Sequence, residues 1–379
     1  MMIPCQRHLF DLPEDLAYLN CAYTSPLLKS ASAAGLKAID QKKRPWGITP
    51  QHFFETAEEN RTLFSRLVSG HPDNVAIIPA VSYGIALAAK NLPVAKGQTI
   101  LVIADQFPSN IYAWRRIAES SGAVIKTIPR PENYDWTTSV LNAIDRGTAI
   151  AALPNCHWTD GTVLDLVRIG EQCRSVGAAL VVDGIQSLGV MPFSVEAVQP
   201  DFLATAAHKW MLGPYTYGFC YIADKWLNGT PLEENWLNRR DSEDFSRLVD
   251  YRNDYQPGAR RFDMGAHSSF FLAPIANAAL NRILSWGVER IAATLQQKIA
   301  EIAAFAIDLG FTIAPEHARA KHMIGLYMPD GLPADAGKRL AKENVFVSVR
   351  GNAIRVAPHL YNSADDLSRL RLALKKTIR

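Results

Sequence analysis

The chain has 379 residues, 48% of them hydrophobic and 20% charged, which is enough for two compact domains with buried cores. Forty basic against 37 acidic side chains leave a net charge of +3, too small a surplus to point to a nucleic-acid partner. No apolar run approaches the length of a membrane span, and the charged opening MMIPCQRHLFDLPED is not expected to act as a secretion signal.

Cys5, Cys21, Cys156, Cys173 and Cys220 are scattered and form no C-x-x-C pair. Neither a zinc site nor a disulfide framework is expected, and reduced thiols in the cytoplasm are the simplest account. From about residue 73, short apolar runs alternate with amphipathic stretches. Residues 75–79 read as a strand, followed by the helical SYGIALAAKNL; 99–104 read as a second strand, followed by a helix over 109–121. Residues 124–128 and 149–153 read as buried strands separated by the helical WTTSVLNAIDR. Helical spacing over 164–176 ends at Gly177, a fitting C-cap, and 179–182 (ALVV) is a short apolar strand. This alternation predicts an α/β domain with a mainly parallel sheet flanked by helices.

Residues 230–260 are polar and irregular. Two long helical patterns follow, FFLAPIANAALNRILSWG and VERIAATLQQKIAEIAAFAIDLG. Short strands (HMIGLYMP, VFVSV, AIRVAP), a helix near 335–343 and a closing helix from Asp365 complete a smaller α+β domain. The expected division is a segment over 1–20 packing near the cleft, a large domain over 21–257 and a small C-terminal domain over 258–379.

The chemistry concentrates between Asp183 and Lys209. Asp183 follows a buried strand at its C-terminal end, where open α/β sheets place ligand-binding groups. A carboxylate there is costly to desolvate unless a cation or donors meet it, and a protonated pyridine nitrogen is a fitting partner. Gln186 is within reach of a second polar group of the same ligand. Lys209 follows the apolar FLATAA, and partial desolvation of its amine favours the neutral form that attacks a carbonyl. Taken singly, each is an ordinary turn or surface residue; the spacing makes the combination informative. No G-x-G-x-x-G follows a strand, and no P-loop or H-E-x-x-H occurs, so nicotinamide, nucleotide and zinc-protease readings are disfavoured.

D-x-x-Q (Asp183, Gln186), a downstream Asp201 and H-K-x-x-x-G-P (His208 to Pro214) resemble the signature of class V, fold-type I enzymes dependent on pyridoxal 5′-phosphate (PLP). That family includes cysteine desulfurases, isopenicillin N epimerase-like proteins, kynureninases and small-molecule aminotransferases. The resemblance implies a Schiff base on Lys209, Asp183 on the pyridine nitrogen, Gln186 on the phenolic oxygen and His208 beside the phosphate. It places the phosphate on AVSYGIA, with Ser82 and the backbone at Tyr83 and Gly84, and the ring under Phe107, where desulfurases have a histidine. Asn155 matches a cofactor contact, with Thr159 and His157 as further cofactor and substrate candidates. The family's serine two residues before the His is Ala206 here, so Thr205 or a group from a partner chain is expected to compensate. Ser268, with Ser269, matches the segment reaching the neighbouring subunit, Asn20 lies in a segment near the substrate, and Arg355 matches the carboxylate-binding arginine.

The family mechanism runs through an external aldimine and a Cα carbanion. The leading expectation is transamination of a small amino acid or amine, in a homodimer with its site at the interface. The runner-up is a PLP lyase or epimerase on a substituted amino acid; a non-catalytic PLP-binding protein is a minor alternative. Cysteine desulfurase is disfavoured because no cysteine follows Cys220, whereas desulfurases carry a nucleophilic cysteine near the C-terminal arginine.

Overall fold

Apolar runs of four to seven residues set between amphipathic helices bury both faces only as neighbouring strands covered by helices on each side. The computed structural model, which describes residues 2–377, has this arrangement. Its strands are β1 (Ala17–Tyr18), β2 (Val75–Ile78), β3 (Thr99–Ile103), β4 (Val124–Ile128), β5 (Thr148–Pro154), β6 (Ala179–Asp183), β7 (Phe202–Ala206), β8 (Gly218–Ile222), β9 (Ile324–Tyr327), β10 (Val345–Phe346), β11 (Ser348–Arg350) and β12 (Ala353–Val356). The helices are α1 (Lys29–Lys42), α2 (Glu55–Leu67), α3 (Val81–Asn91), α4 (Tyr112–Ser121), α5 (Trp136–Ala143), α6 (Leu166–Val176), α7 (Val195–Val198), α8 (Leu272–Trp286), α9 (Val288–Asp308), α10 (Ala336–Lys342) and α11 (Ala364–Thr377).

Seven strands form the main sheet in the order β2-β8-β7-β6-β5-β3-β4, and only β8 runs antiparallel to its neighbours. Period-two alternation divides the buried residues between the two faces. Val75, Ile77, Leu101 and Ile103 face one core, and Ala76, Ile78, Ile100 and Val102 face the other. Gly177 ends α6 in the left-handed region, φ 81°, as its C-cap role requires.

Three expectations change. Residues 124–128 were expected to be a buried strand, but β4 is the sheet's edge and only Ile128 is buried. The apolar FLATAA before Lys209 supplies strand β7 and GFCYI supplies β8, two strands beyond the alternation read over residues 75–182. The third concerns the boundary at 257/258. Helix α8, beyond it, packs on α1 and α2 and joins the large core. The separate core of the small unit begins at Ile299 and also takes in Ala17 and Leu19. In that unit β11, β12 and β9 form an antiparallel sheet, and β1 pairs with β10. Among the described residues no helix is long and apolar enough to cross a membrane.

Candidate active site

Parallel strands bring their C-terminal ends to one edge of the sheet. Asn155 follows β5, Asp183 ends β6, Lys209 lies three residues past β7, Phe107 lies four past β3, and α3 begins three past β2. The residues carrying the sequence signature therefore converge at this edge. A separate groove of about 790 Å³, lined by Asn74, Pro200, Asp201 and Ala223 among others, opens at the opposite edge, away from this chemistry.

Lys209 is 8% exposed. Its Nζ lies 5.6 Å from the centroid of the Phe107 ring. Burial first, then the positive charge of Arg355, pulls its pKa down to about 8. A substantial neutral fraction near physiological pH is what a carbonyl-attacking amine needs. The N-terminal segment seals this loop: Ser25 N–H donates to His208 O at 2.9 Å, and Cys21 Sγ lies 3.7 Å from Lys209 O.

Asp183 is also buried, and burial raises its carboxyl pKa to about 6. Its Oδ1 accepts from Ile185 N–H at 3.1 Å, and among the described residues no cation lies within 4.0 Å. Gln186 donates from Nε2 to Ala22 O at 3.1 Å and accepts from Trp210 Nε1 at 2.9 Å, which leaves one N–H uncommitted.

Helix α3 starts at Val81 with Ala80 as N-cap and no side-chain cap. Ser82 is thus inside the first turn and exposed, not the cap, and Tyr83 is half-buried beside it. Uncapped N–H groups at a helix N-terminus favour an anion. A Cβ at Gly84 would meet Ala204 Cβ at 2.6 Å, so α3 lies flush on β7. The expected help from Thr205 is not found. Thr205 alternates with Ala204, so its hydroxyl belongs to the sheet face opposite α3. His208 has a buried Nδ1 without a partner, and burial lowers the ring's pKa to about 4.

Other expected positions fall on two levels. Asn155 is buried, with Nδ2 3.8 Å from Met191 Sδ and its backbone N–H donating to Asp183 O at 3.4 Å. His157 is fully buried, stacked on Trp136, and its nitrogens meet Ala104 O at 3.2 Å and Thr159 Oγ1 at 2.8 Å. Neither nitrogen is free for a substrate, so His157 supports the loop instead. Thr159 is tied into the same network, which continues through Arg130 and Asp160. Ser268 is buried in the loop before α8.

Arg355 is 1% exposed, with Nη1 donating to Trp158 O at 2.7 Å and Nη2 3.5 Å from Ser348 Oγ. Asn20 accepts from the same Ser348 hydroxyl at 2.8 Å. The Nε of Arg355 is buried without a partner, and among the described residues no carboxylate lies within 4.0 Å of this guanidinium. Burial and the nearby Arg350 lower its pKa to about 9. Sequence reasoning missed Ser348, Arg350 and Trp210; only the β11–β12 register and the folded Gln186 contact reveal them.

The sheet order and site edge define the fold-type I class of PLP-dependent transferases. A solved C-DES mutant with glycine covalently linked to its PLP cofactor superposes with TM-score 0.88 at 19% identity, covering 98% of this chain and 99% of that one. The family model "Aminotransferase class-V" matches residues 46–377, and the chain belongs to this enzyme family. An uncharacterized aminotransferase of Bacillus subtilis, YcbU, is 28% identical over 85% of this chain and 84% of its own. The isopenicillin N epimerase of Amycolatopsis lactamdurans is 24% identical over 82% of each chain.

The residues present fit PLP, the cofactor of this class. Asp183 offers a buried carboxylate with no cation within 4.0 Å among the described residues, Lys209 a desolvated amine, α3 an uncapped N-terminus and His208 an orphaned nitrogen.

Proposed function

We propose that this chain is a PLP-dependent transaminase acting on a small α-amino acid or amine. The observation that carries an α-amino acid as substrate is Arg355, a buried guanidinium with no carboxylate within 4.0 Å among the described residues, in the same cleft as Lys209. Transamination is supported by the class-V aminotransferase family and the YcbU likeness. Its planar fork suits an α-carboxylate. When bound, PLP supplies an electron sink for the bonds at the substrate's Cα. Asp183 would hold the ring nitrogen protonated, Phe107 would lie against the ring, and the first turn of α3 with His208 would hold the phosphate. Lys209 would bear the cofactor aldehyde and, once displaced, carry a proton at Nζ to and from the substrate.

The purified protein is expected to show a visible band that borohydride abolishes and that Lys209→Ala lacks. A donor amino acid, without any acceptor, is expected to convert the cofactor stoichiometrically to its amine form. Failure of every donor would remove transamination. Pyruvate or ammonia release without a keto-acid acceptor would favour a lyase, a reading supported by the structural likeness to the cystine C-S lyase C-DES. Cysteine desulfurase is disfavoured: Cys21, the thiol near Lys209, is fully buried and its pKa is pushed up by burial.

A homodimer is part of the proposal, with the loop before α8, which carries the buried Ser268 and the half-buried Ser269, turned toward the second site. Exposed Leu36, Ile39, Trp46, Val249 and Tyr251 support it. Free thiols support a cytoplasmic setting.

A further inference from the structure

Strands β11 and β12 pair Ser348 with Arg355 and Arg350 with Ala353. Ser348 and Arg355 touch across the ladder, so they share a face. Arg350, two residues along from Ser348, lies on that face too, on the diagonal from Arg355, about 7–8 Å away between backbones. Trp158 connects the two arginines: its carbonyl accepts from Arg355, and its ring centroid lies 5.7 Å from the Arg350 guanidinium carbon. Trp158 meets Phe107 edge-on at 5.4 Å, and Phe107 lies beneath Lys209 Nζ. The two rings therefore touch Lys209 and Arg350, and the Trp158 carbonyl holds Arg355.

Arg350 is half-buried, and its Nε is buried without a partner. Among the described residues it makes one hydrogen bond, from Nη1 to Val349 O at 3.0 Å, and has no carboxylate within 4.0 Å. Arg61, Arg130 and Arg260 by contrast each pair with an acid. The positive charge of Arg350 disfavours protonated Lys209 and Arg355 alike. In the proposed site Asp183 serves the ring nitrogen, α3 takes the phosphate and an α-carboxylate satisfies Arg355. Arg350 would then remain without a counter-ion.

We infer that Arg350 is a specificity-determining residue for a second anionic group, so that the preferred substrate is an amino acid with an acidic side chain. This rests on the reading of Arg355 as the α-carboxylate partner. A second carboxylate matches the guanidinium fork of Arg350 as the first matches Arg355.

The test uses the PLP-loaded enzyme and acids that lack the reacting amine, succinate and butyrate, of equal chain length, with affinities measured by titration calorimetry. Succinate is expected to bind wild type roughly tenfold to a hundredfold more tightly than butyrate, the range for a charge-assisted hydrogen-bonded pair. Arg350→Gln is expected to bring that ratio close to one, and Arg350→Lys to retain part of it. If Arg355→Gln weakens both acids while wild type binds them equally, the inference falls and the proposed function stands. If neither acid responds to Arg355→Gln, the reading of Arg355 falls and this inference with it.

Discussion

Asp183 takes a carboxylate into the core with the N–H of Ile185 as partner and, among the described residues, no cation within 4.0 Å. Burial raises its pKa from 3.8 to about 6, so between those values the folded chain binds more protons than the unfolded one. A raised acid disfavours folding as pH climbs. The penalty is absent below 3.8, grows through about 6 and by neutral pH amounts to roughly 2–3 kcal/mol. Asp183→Asn is therefore expected to stabilise the cofactor-free protein by about that amount at pH 7 and by little at pH 4, as read by urea unfolding. An equal gain at both pH values would show that the ionised form is not the cause. The same variant is expected to lose turnover, because an amide cannot balance a protonated ring nitrogen. In the proposed site the ring nitrogen of PLP would meet this charge, so that stability is given up here for function.

At the scale of elements, the fit of α3 against β7 sets where the helix N-terminus lies. Gly84 permits it: a Cβ there would lie 2.6 Å from Ala204 Cβ and 3.0 Å from Ile78 Cδ1. Gly84→Val is expected to lift the first turn of α3 at a cost of about 1–3 kcal/mol, the usual penalty for overpacking. It is also expected to weaken PLP retention, because Ser82 and the uncapped N–H groups move with the helix. Thermal unfolding and dialysis of the loaded enzyme would measure the two effects. Unchanged PLP retention despite lower stability would separate the helix from the phosphate site.

Across the whole molecule, the N-terminal segment ties the small unit to the Lys209 loop. Ala17 and Leu19 fill the small core, and β1 pairs with β10. Ala22 O holds Gln186, and Ser25 holds the backbone of His208. Deleting residues 2–25 is expected to lower the thermal midpoint and to expose Lys209 to solvent, raising the pH at which its amine becomes neutral. Borohydride trapping of PLP as a function of pH would show this as an upward shift of the profile. A truncated protein with an unchanged midpoint and profile would refute the tie.

The sequence by itself determined the fold class, the Asp183 to Lys209 signature and most elements, because each rests on local periodicity or fixed spacing. The closing helix, Gly177 as a cap and the strands over 75–78, 99–103 and 179–183 were legible for that reason. Tertiary structure alone decided which polar residues are free. His157 is fully engaged, whereas Arg355 has no carboxylate partner among the described residues. It also decided the alternation that turns Thr205 away from α3 and the register that sets Arg350 on the diagonal from Arg355. Such facts depend on residues far apart in the chain meeting across a sheet, and no local pattern encodes a partner nearly two hundred positions away, as Trp158 is for Arg355.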